Sequence, residues 1–171
     1  MDLLYAPWRS PYSESNDASK KPDAQPDQCV FCKQLEANTD EEFLIIKRYK
    51  HCYVLLNKYP YNAGHLLVLP LAHLKNLNEL PKEARTEMME LLTHANDIVT
   101  KELGCGGVNI GLNLGRAAGA GIPSHLHFHV LPRWLGDTNF TMALAGTRVI
   151  SFDLNDVYKK LKPAFECKEL T

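Results

Sequence analysis

Short apolar runs and polar breaks alternate through the middle of the chain. Phe43–Arg48 (FLIIKR), Cys52–Asn57 (CYVLLN) and His65–Leu69 (HLLVL) have the length and composition of strands. Lys58–Gly64 (KYPYNAG) carries Pro, Asn and Gly and predicts a turn, and Pro70 stops the third run. The period then changes. Leu80, Ala84, Met88, Leu91, Leu92, Ala95, Ile98 and Val99 recur at helical spacing, with Pro81 in the first turn and Gly104 as the stop. Val108–Leu112 and His125–Leu131 predict a fourth and a fifth strand, and a Gly/Ala-rich loop from Leu114 to Ser124 separates them. Thr147–Ser151 reads as a short sixth strand. Leu154, Val157, Tyr158 and Leu161 predict a last helix that ends before Pro163. Strands joined by short turns pair antiparallel, with the long helix on one face. The expected class is α+β: an antiparallel sheet of about five strands, one long helix and a C-terminal helix.

The N-terminal region follows a different pattern. Leu3, Leu4, Tyr5, Pro7, Trp8 and Tyr12 form an apolar, aromatic arm that can pack on the domain or on a partner subunit. Residues 13–28 (SESNDASKKPDAQPDQ) are nearly free of apolar side chains and read as a flexible loop. The expected organisation is an arm and loop over 1–28, a domain over 29–165 and a tail over 166–171.

Composition narrows the class. The 171 residues make one domain, 45% apolar and 23% charged, with a net charge of -1. That charge balance argues against a nucleic-acid surface, while leaving room for a local anion site. No apolar run approaches the roughly 20 residues of a membrane helix, and the first residues do not read as a signal peptide. A cytoplasmic location is the expectation. Five cysteines, two of them as Cys29-x-x-Cys32, favour metal binding or free thiols over a disulfide framework.

The chemistry concentrates in His125-Leu126-His127-Phe128-His129-Val130-Leu131. On a strand, His125, His127 and His129 share one face, while Leu126, Phe128 and Val130 share the face toward the core. A neutral imidazole near pH 7 is a nucleophile, a proton carrier or a metal ligand. Just upstream, Gly115, Gly119 and Gly121 free backbone N–H groups to approach an anion, and Arg116 adds charge. The glycine spacing matches neither a P-loop nor a dinucleotide fingerprint. A glycine-rich turn alone is also ordinary strand connection; beside three aligned histidines it favours phosphate chemistry.

His125-x-His127-x-His129 with Val130 and Leu131, together with Gly64-His65-Leu66-Leu67-Val68-Leu69-Pro70, resembles the histidine triad family. Cys29-Val30-Phe31-Cys32-Lys33 resembles that family's opening segment. The APWR stretch and the RWLGDTNF stretch after the triad look like the bacterial branch similar to diadenosine tetraphosphate phosphorylases and hydrolases. The resemblance implies attack by His127 on the α-phosphorus of a nucleotide, leaving a nucleotidyl-histidine that water or another acceptor such as phosphate resolves. His129 then stabilises phosphate charge, and His65 on the neighbouring strand orients the triad or moves a proton. Asn57 matches the ribose-binding position, where relatives often carry Asp. Val30, Phe31 and Leu55 match walls of the base pocket and equally suit a plain core. Asn113, Gly119, Gly121 and Ser124 fall near the phosphates.

Some relatives complete a zinc site from two cysteines and two histidines. The matching positions are Cys29, Cys32, His73 and His125, a structural site with no open position. Two buried thiols are the alternative. His94, on the long helix, reads as exposed. The resemblance further implies a purine nucleotide substrate and a homodimer built by joining sheets. The expected function is a nucleotide hydrolase or transferase acting on dinucleoside polyphosphates or adenosine phosphoramidate-type compounds and releasing AMP. A histidine at the third triad position leans toward hydrolysis, because transferase relatives often carry Gln there. The alternatives are a diadenosine tetraphosphate phosphorylase, a nucleotide-binding regulator with incidental activity, and a metal-binding module that uses the histidines as ligands.

Overall fold

The computed structural model describes residues 23–138, 140–146, 152–167 and 170. The aromatic arm, most of the polar loop and the sixth strand expected at 147–151 lie outside these residues. Five strands, β1 (Ile45–Arg48), β2 (Cys52–Leu56), β3 (Leu66–Pro70), β4 (Gly107–Leu112) and β5 (Phe128–Arg133), form one antiparallel sheet in the order β1-β2-β3-β5-β4.

The central strands are apolar at every position because both faces are covered. Cys52, Val54 and Leu56 of β2 and Leu66 and Val68 of β3 enter the main core, with the face of α2 (Lys82–Leu103) that carries Met88, Leu91 and Val99. The intervening Tyr53, Leu55, Leu67 and Leu69 enter a second cluster with Cys29, Phe31 and Cys32. The latter three sit at or in α1 (Val30–Ala37), a helix not anticipated, because the C-x-x-C was read for its thiols and not for helical period.

Polar contacts fix the helices on the sheet. Glu87 Oε1 accepts from the N–H groups of His51 and Cys52 at 2.7 and 2.8 Å. The hydroxyl of Tyr158, in α4 (Leu154–Glu166), donates to the Ile45 carbonyl at 2.9 Å. As expected, Gly104 ends α2: its φ is 62° and its N–H donates to Thr100 O at 3.1 Å.

Several expectations are corrected. α4 continues through Pro163 to Glu166, held by the fully buried Phe165. The ring of Phe165 meets His94 edge-on at 5.5 Å, and His94 is buried rather than exposed. Leu170 packs against the main core. A short α3 (Phe140–Ala145) follows the RWLGD turn. Residues 23–28, expected as the end of a flexible loop, are tied down. Pro26–Gln28 makes a 3-10 turn, and Asp23 pairs with Arg116 at 3.2 Å and Lys75 at 3.5 Å.

β5 begins three residues later than His125. Its ladder with β3 stops at the Val68–Phe128 pair. Leu126 N–H instead donates at 2.6 Å to the carbonyl of Leu74, in the loop after β3.

Gly64 turns the chain into His65 with φ of 68°, and a Cβ there would overlap Leu103. Gly64→Ala therefore lowers unfolding free energy by about 2 kcal/mol, read from the shift of a urea unfolding midpoint.

Candidate functional site

A cavity of about 600 Å³ opens on the α1 side of the sheet. Val30, Phe31 and Leu55 line it, as do Asn57, Gly119, Gly121, His127 and His129. Leu44 also lines it, with a left-handed φ of 58° that delays β1 to Ile45. Such backbone costs about 1–2 kcal/mol. It is retained by the hydrogen bonds Ile45 N–H to Asp40 O at 2.8 Å and Leu56 N–H to Leu44 O at 2.9 Å.

Fixed backbone partners set the state of each histidine. Tyr61 N–H donates to His65 Nδ1 at 3.1 Å. Tyr59 N–H donates to Asn57 Oδ1 at 3.0 Å, which turns the Asn57 amide nitrogen toward the same His65 Nδ1 at 3.2 Å. His65 Nδ1 is therefore an acceptor, and its Nε2–H donates to His129 Nδ1 at 2.9 Å. His129 is left with a proton on Nε2. The order reverses at His127: its Nδ1–H donates to the His125 carbonyl at 2.8 Å, leaving Nε2 with a free lone pair. Tyr61 stacks on His129 at 5.7 Å and 22°.

Burial keeps these rings neutral. Desolvation, then the nearby His129 and His127, lowers His65 to about 3. Desolvation, then His127, lowers His129 to about 4. His127 is lowered by burial, against the raising effect of its bond to the His125 carbonyl. A neutral Nε2 lone pair beside an Nε2–H donor is the equipment for nucleophilic attack next to a polarised oxygen.

His125 is fully buried and is not on this cavity wall. Its Nε2–H donates to Pro70 O at 3.0 Å, so Nδ1 keeps its lone pair, 3.5 Å from Cys29 Sγ and 3.7 Å from Cys32 Sγ. His73 Nδ1 lies 3.3 Å from Cys32 Sγ, and the four donor atoms all fall within 4.8 Å of one another. Tetrahedral S–metal and N–metal bonds of about 2.3 and 2.0 Å imply S···N edges of about 3.5 Å, close to the spacings here. Burial, then Cys29, pushes the Cys32 thiol up to about 12. A bound cation would favour the thiolate instead. The donor set fits a tetrahedral metal, and the carbonyl behind His125 orients it as a ligand.

The expected residues thus divide. Val30, Phe31, Leu55, Asn57, Gly119, Gly121, His127 and His129 reach the cavity. His65 is fully buried behind His129, and His125 joins Cys29, Cys32 and His73. Asn113 lies beside Gly119, its Nδ2 4.0 Å from where a Gly119 side chain would begin. The Ser124 hydroxyl is buried with no hydrogen-bond partner among the described residues. Neither Asn113 nor Ser124 is on the cavity wall. Gln34, Phe43, Lys58, Tyr59, Tyr61 and Ile122 are on the wall and were not anticipated as site residues. The i, i+4 spacing of Val30 and Gln34 is the signal that a helical reading of α1 would have supplied.

The HIT domain model matches residues 27–134. AP-4-A phosphorylase of Mycobacterium tuberculosis is 35% identical over 161 residues, 94% of this chain and 83% of that protein. Adenosine 5'-monophosphoramidase HNT1 of Saccharomyces cerevisiae is 29% identical over 105 residues, 61% of this chain and 62% of that protein. A Zn-bound histidine triad family protein from Mycobacterium smegmatis superposes with a TM-score of 0.68 at 26% identity, covering 84% of this chain and 96% of that one. The chain belongs to the histidine triad family.

Nitrogen-15 NMR of the imidazoles reads the proton positions directly. Near neutral pH, His127 is expected protonated at Nδ1 alone, and His65 and His129 at Nε2 alone; a His127 protonated at Nε2 would contradict the geometry.

Proposed function

We propose that this histidine triad protein is a nucleotidyl-transferring enzyme that acts on dinucleoside polyphosphates through His127. The observation that carries the reading is the His127 Nδ1–H bond to the His125 carbonyl, which leaves Nε2 as the nucleophile on the cavity wall. Nε2 attacks the α-phosphorus, a P–N bond forms, and the P–O bond to the leaving polyphosphate breaks. The ring, now substituted at Nε2 and protonated at Nδ1, carries positive charge that the His125 carbonyl stabilises. His129 Nε2–H bonds the α-phosphate oxygens, held in that orientation by His65. Asn57 contacts the ribose, and Val30, Phe31 and Leu55 flank the purine. Gly119 has a φ of 89°, which bends the loop so that its backbone N–H groups serve the phosphates.

The acceptor then breaks the P–N bond and restores His127. Identity of 35% across 94% of the chain with a phosphorylase supports inorganic phosphate as that acceptor. Diadenosine tetraphosphate plus phosphate then yields ATP and ADP. The histidine at position 129 favours a second reading, in which water is the acceptor and AMP replaces ADP.

Cys29, Cys32, His73 and His125 would hold a structural Zn2+, which anchors the segment leading into His127. The same reading includes a homodimer joined along β4, an edge strand whose Ile110 is 45% exposed.

Two measurements test this. Chromatography of products from diadenosine tetraphosphate is expected to show ADP with phosphate present and AMP without it, and His127→Ala to lower kcat by about 10³-fold or more. AMP alone in both conditions would select water as acceptor. Elemental analysis is expected to find one zinc per chain, with Cys32→Ser losing the metal and melting lower.

A further inference from the structure

Two backbone donors fix the proton on His65, and both lie on one exposed stretch of chain. Tyr59 N–H sets the Asn57 amide, and Tyr61 N–H reaches His65 Nδ1 itself. Lys58, Tyr59 and Tyr61 are exposed, and such a stretch keeps its N–H groups in place only where something anchors it. The first buried residue after it is Asn62. The Asn62 amide is fully committed. Its Oδ1 accepts from Ala63 N–H at 3.1 Å. Its Nδ2 donates to Pro132 O at 3.1 Å and to Asp137 Oδ2 at 2.8 Å. Asp137 closes the turn that leaves β5 and is not on the cavity wall. Its side chain is 7% exposed, and Arg133 donates to it from Nε at 2.6 Å and Nη2 at 3.0 Å. Trp134 N–H and the Thr138 hydroxyl donate to it as well. The hydrogen bond from Arg133, above all, holds the Asp137 carboxyl well below the usual carboxylate range, so it is an acceptor at neutral pH.

We infer that Asp137 is a positioning residue of the reaction, which clamps Asn62 and so holds the stretch that sets the proton on His65. This rests on the reading of His129 as the group that bonds the α-phosphate and adds what keeps it oriented. With Asn62 clamped, His65 Nδ1 stays an acceptor and its Nε2–H stays aimed at His129 Nδ1. His129 then keeps its own proton on Nε2. The same clamp places the Tyr61 ring, which lies 4.7 Å from His65 and stacks on His129. Without the clamp the stretch loses its hold on both backbone donors. A neutral imidazole carries its proton on either nitrogen, so His65 then populates both forms. In the form protonated at Nδ1, His65 no longer donates to His129. Asp137 thus acts on the triad from outside the cavity, through one side chain and a short run of backbone.

Imidazole nitrogen-15 NMR and turnover of diadenosine tetraphosphate, compared across four variants, test this. Asp137→Ala and Asn62→Ala are expected to show His65 partly protonated at Nδ1 and kcat lowered about tenfold. Asn62→Ala leaves the Arg133–Asp137 pair intact and so isolates the link. Asp137→Asn keeps an oxygen that can accept from Asn62, and is expected to retain the wild-type His65 signals with kcat within about twofold. Tyr158→Phe, which deletes a buried hydrogen bond from α4 to Ile45, controls for lost stability and is expected to leave the His65 signals unchanged. In the wild type itself, the Tyr61 amide is expected to exchange its hydrogen at least about tenfold more slowly than an unstructured amide. Free exchange there would overturn the role of Asp137. So would His65 protonated at Nε2 alone in folded Asp137→Ala or Asn62→Ala, or an equal change in Asp137→Asn or Tyr158→Phe. Each of these results leaves the nucleotide reading intact. Absence of turnover by wild type would overturn that reading, while the His65 signals still decide the role of Asp137.

Discussion

The His125 carbonyl accepts a proton-bearing nitrogen from His127 at 2.8 Å, and the rest of the site is arranged around that contact. It fixes which nitrogen of His127 is bare. Because the carbonyl belongs to His125, the placement of the His127 ring depends on how residue 125 is held. That residue is bound on two sides, by Pro70 O and by the sulfurs of Cys29 and Cys32. The Cys/His cluster and the cavity are therefore served by alternate residues of one short segment, with Phe31 packed against the rings of both His125 and His127. A disturbance of the cluster reaches the His127 ring through a single peptide unit.

The sheet explains why this segment can serve both ends. β3 runs on to Pro70 beside β2, but its ladder with β5 stops at the Val68–Phe128 pair. The residues ahead of it are anchored by a loop carbonyl and by side chains. A regular strand would have given the three histidines one common face and one common environment. Leaving the ladder early lets His125 turn into the cluster while His127 and His129 stay at the cavity.

Much of this was legible in the chain. The five strands, the long helix and the alternation of histidines follow from periodicity, because a sheet buried on both faces needs continuous apolar runs. The Cys29-x-x-Cys32 pair brought the cluster into view, and the resemblance to the family supplied His73 and His125 as its completing positions. α1 was not legible: its eight residues make only about two turns, too few for a clear helical period, and the metal-like spacing of Cys29 and Cys32 dominated the reading. Gln34 was lost with it. The proton positions on the histidines were out of reach, because they depend on hydrogen-bond partners that the fold brings to each ring, such as Pro70 O for His125. Pro163 misled for the converse reason: local propensity predicts a stop, and the burial of Phe165 beyond it outweighs that preference.

The most direct measurement is intact-protein mass spectrometry after rapid quenching of the wild type and His127→Ala with diadenosine tetraphosphate. An acid-labile adduct of one AMP moiety on the wild type alone, depleted when phosphate is added, is the expected result. Turnover by wild type without any adduct, or an adduct that persists in His127→Ala, would contradict His127 as the nucleophile.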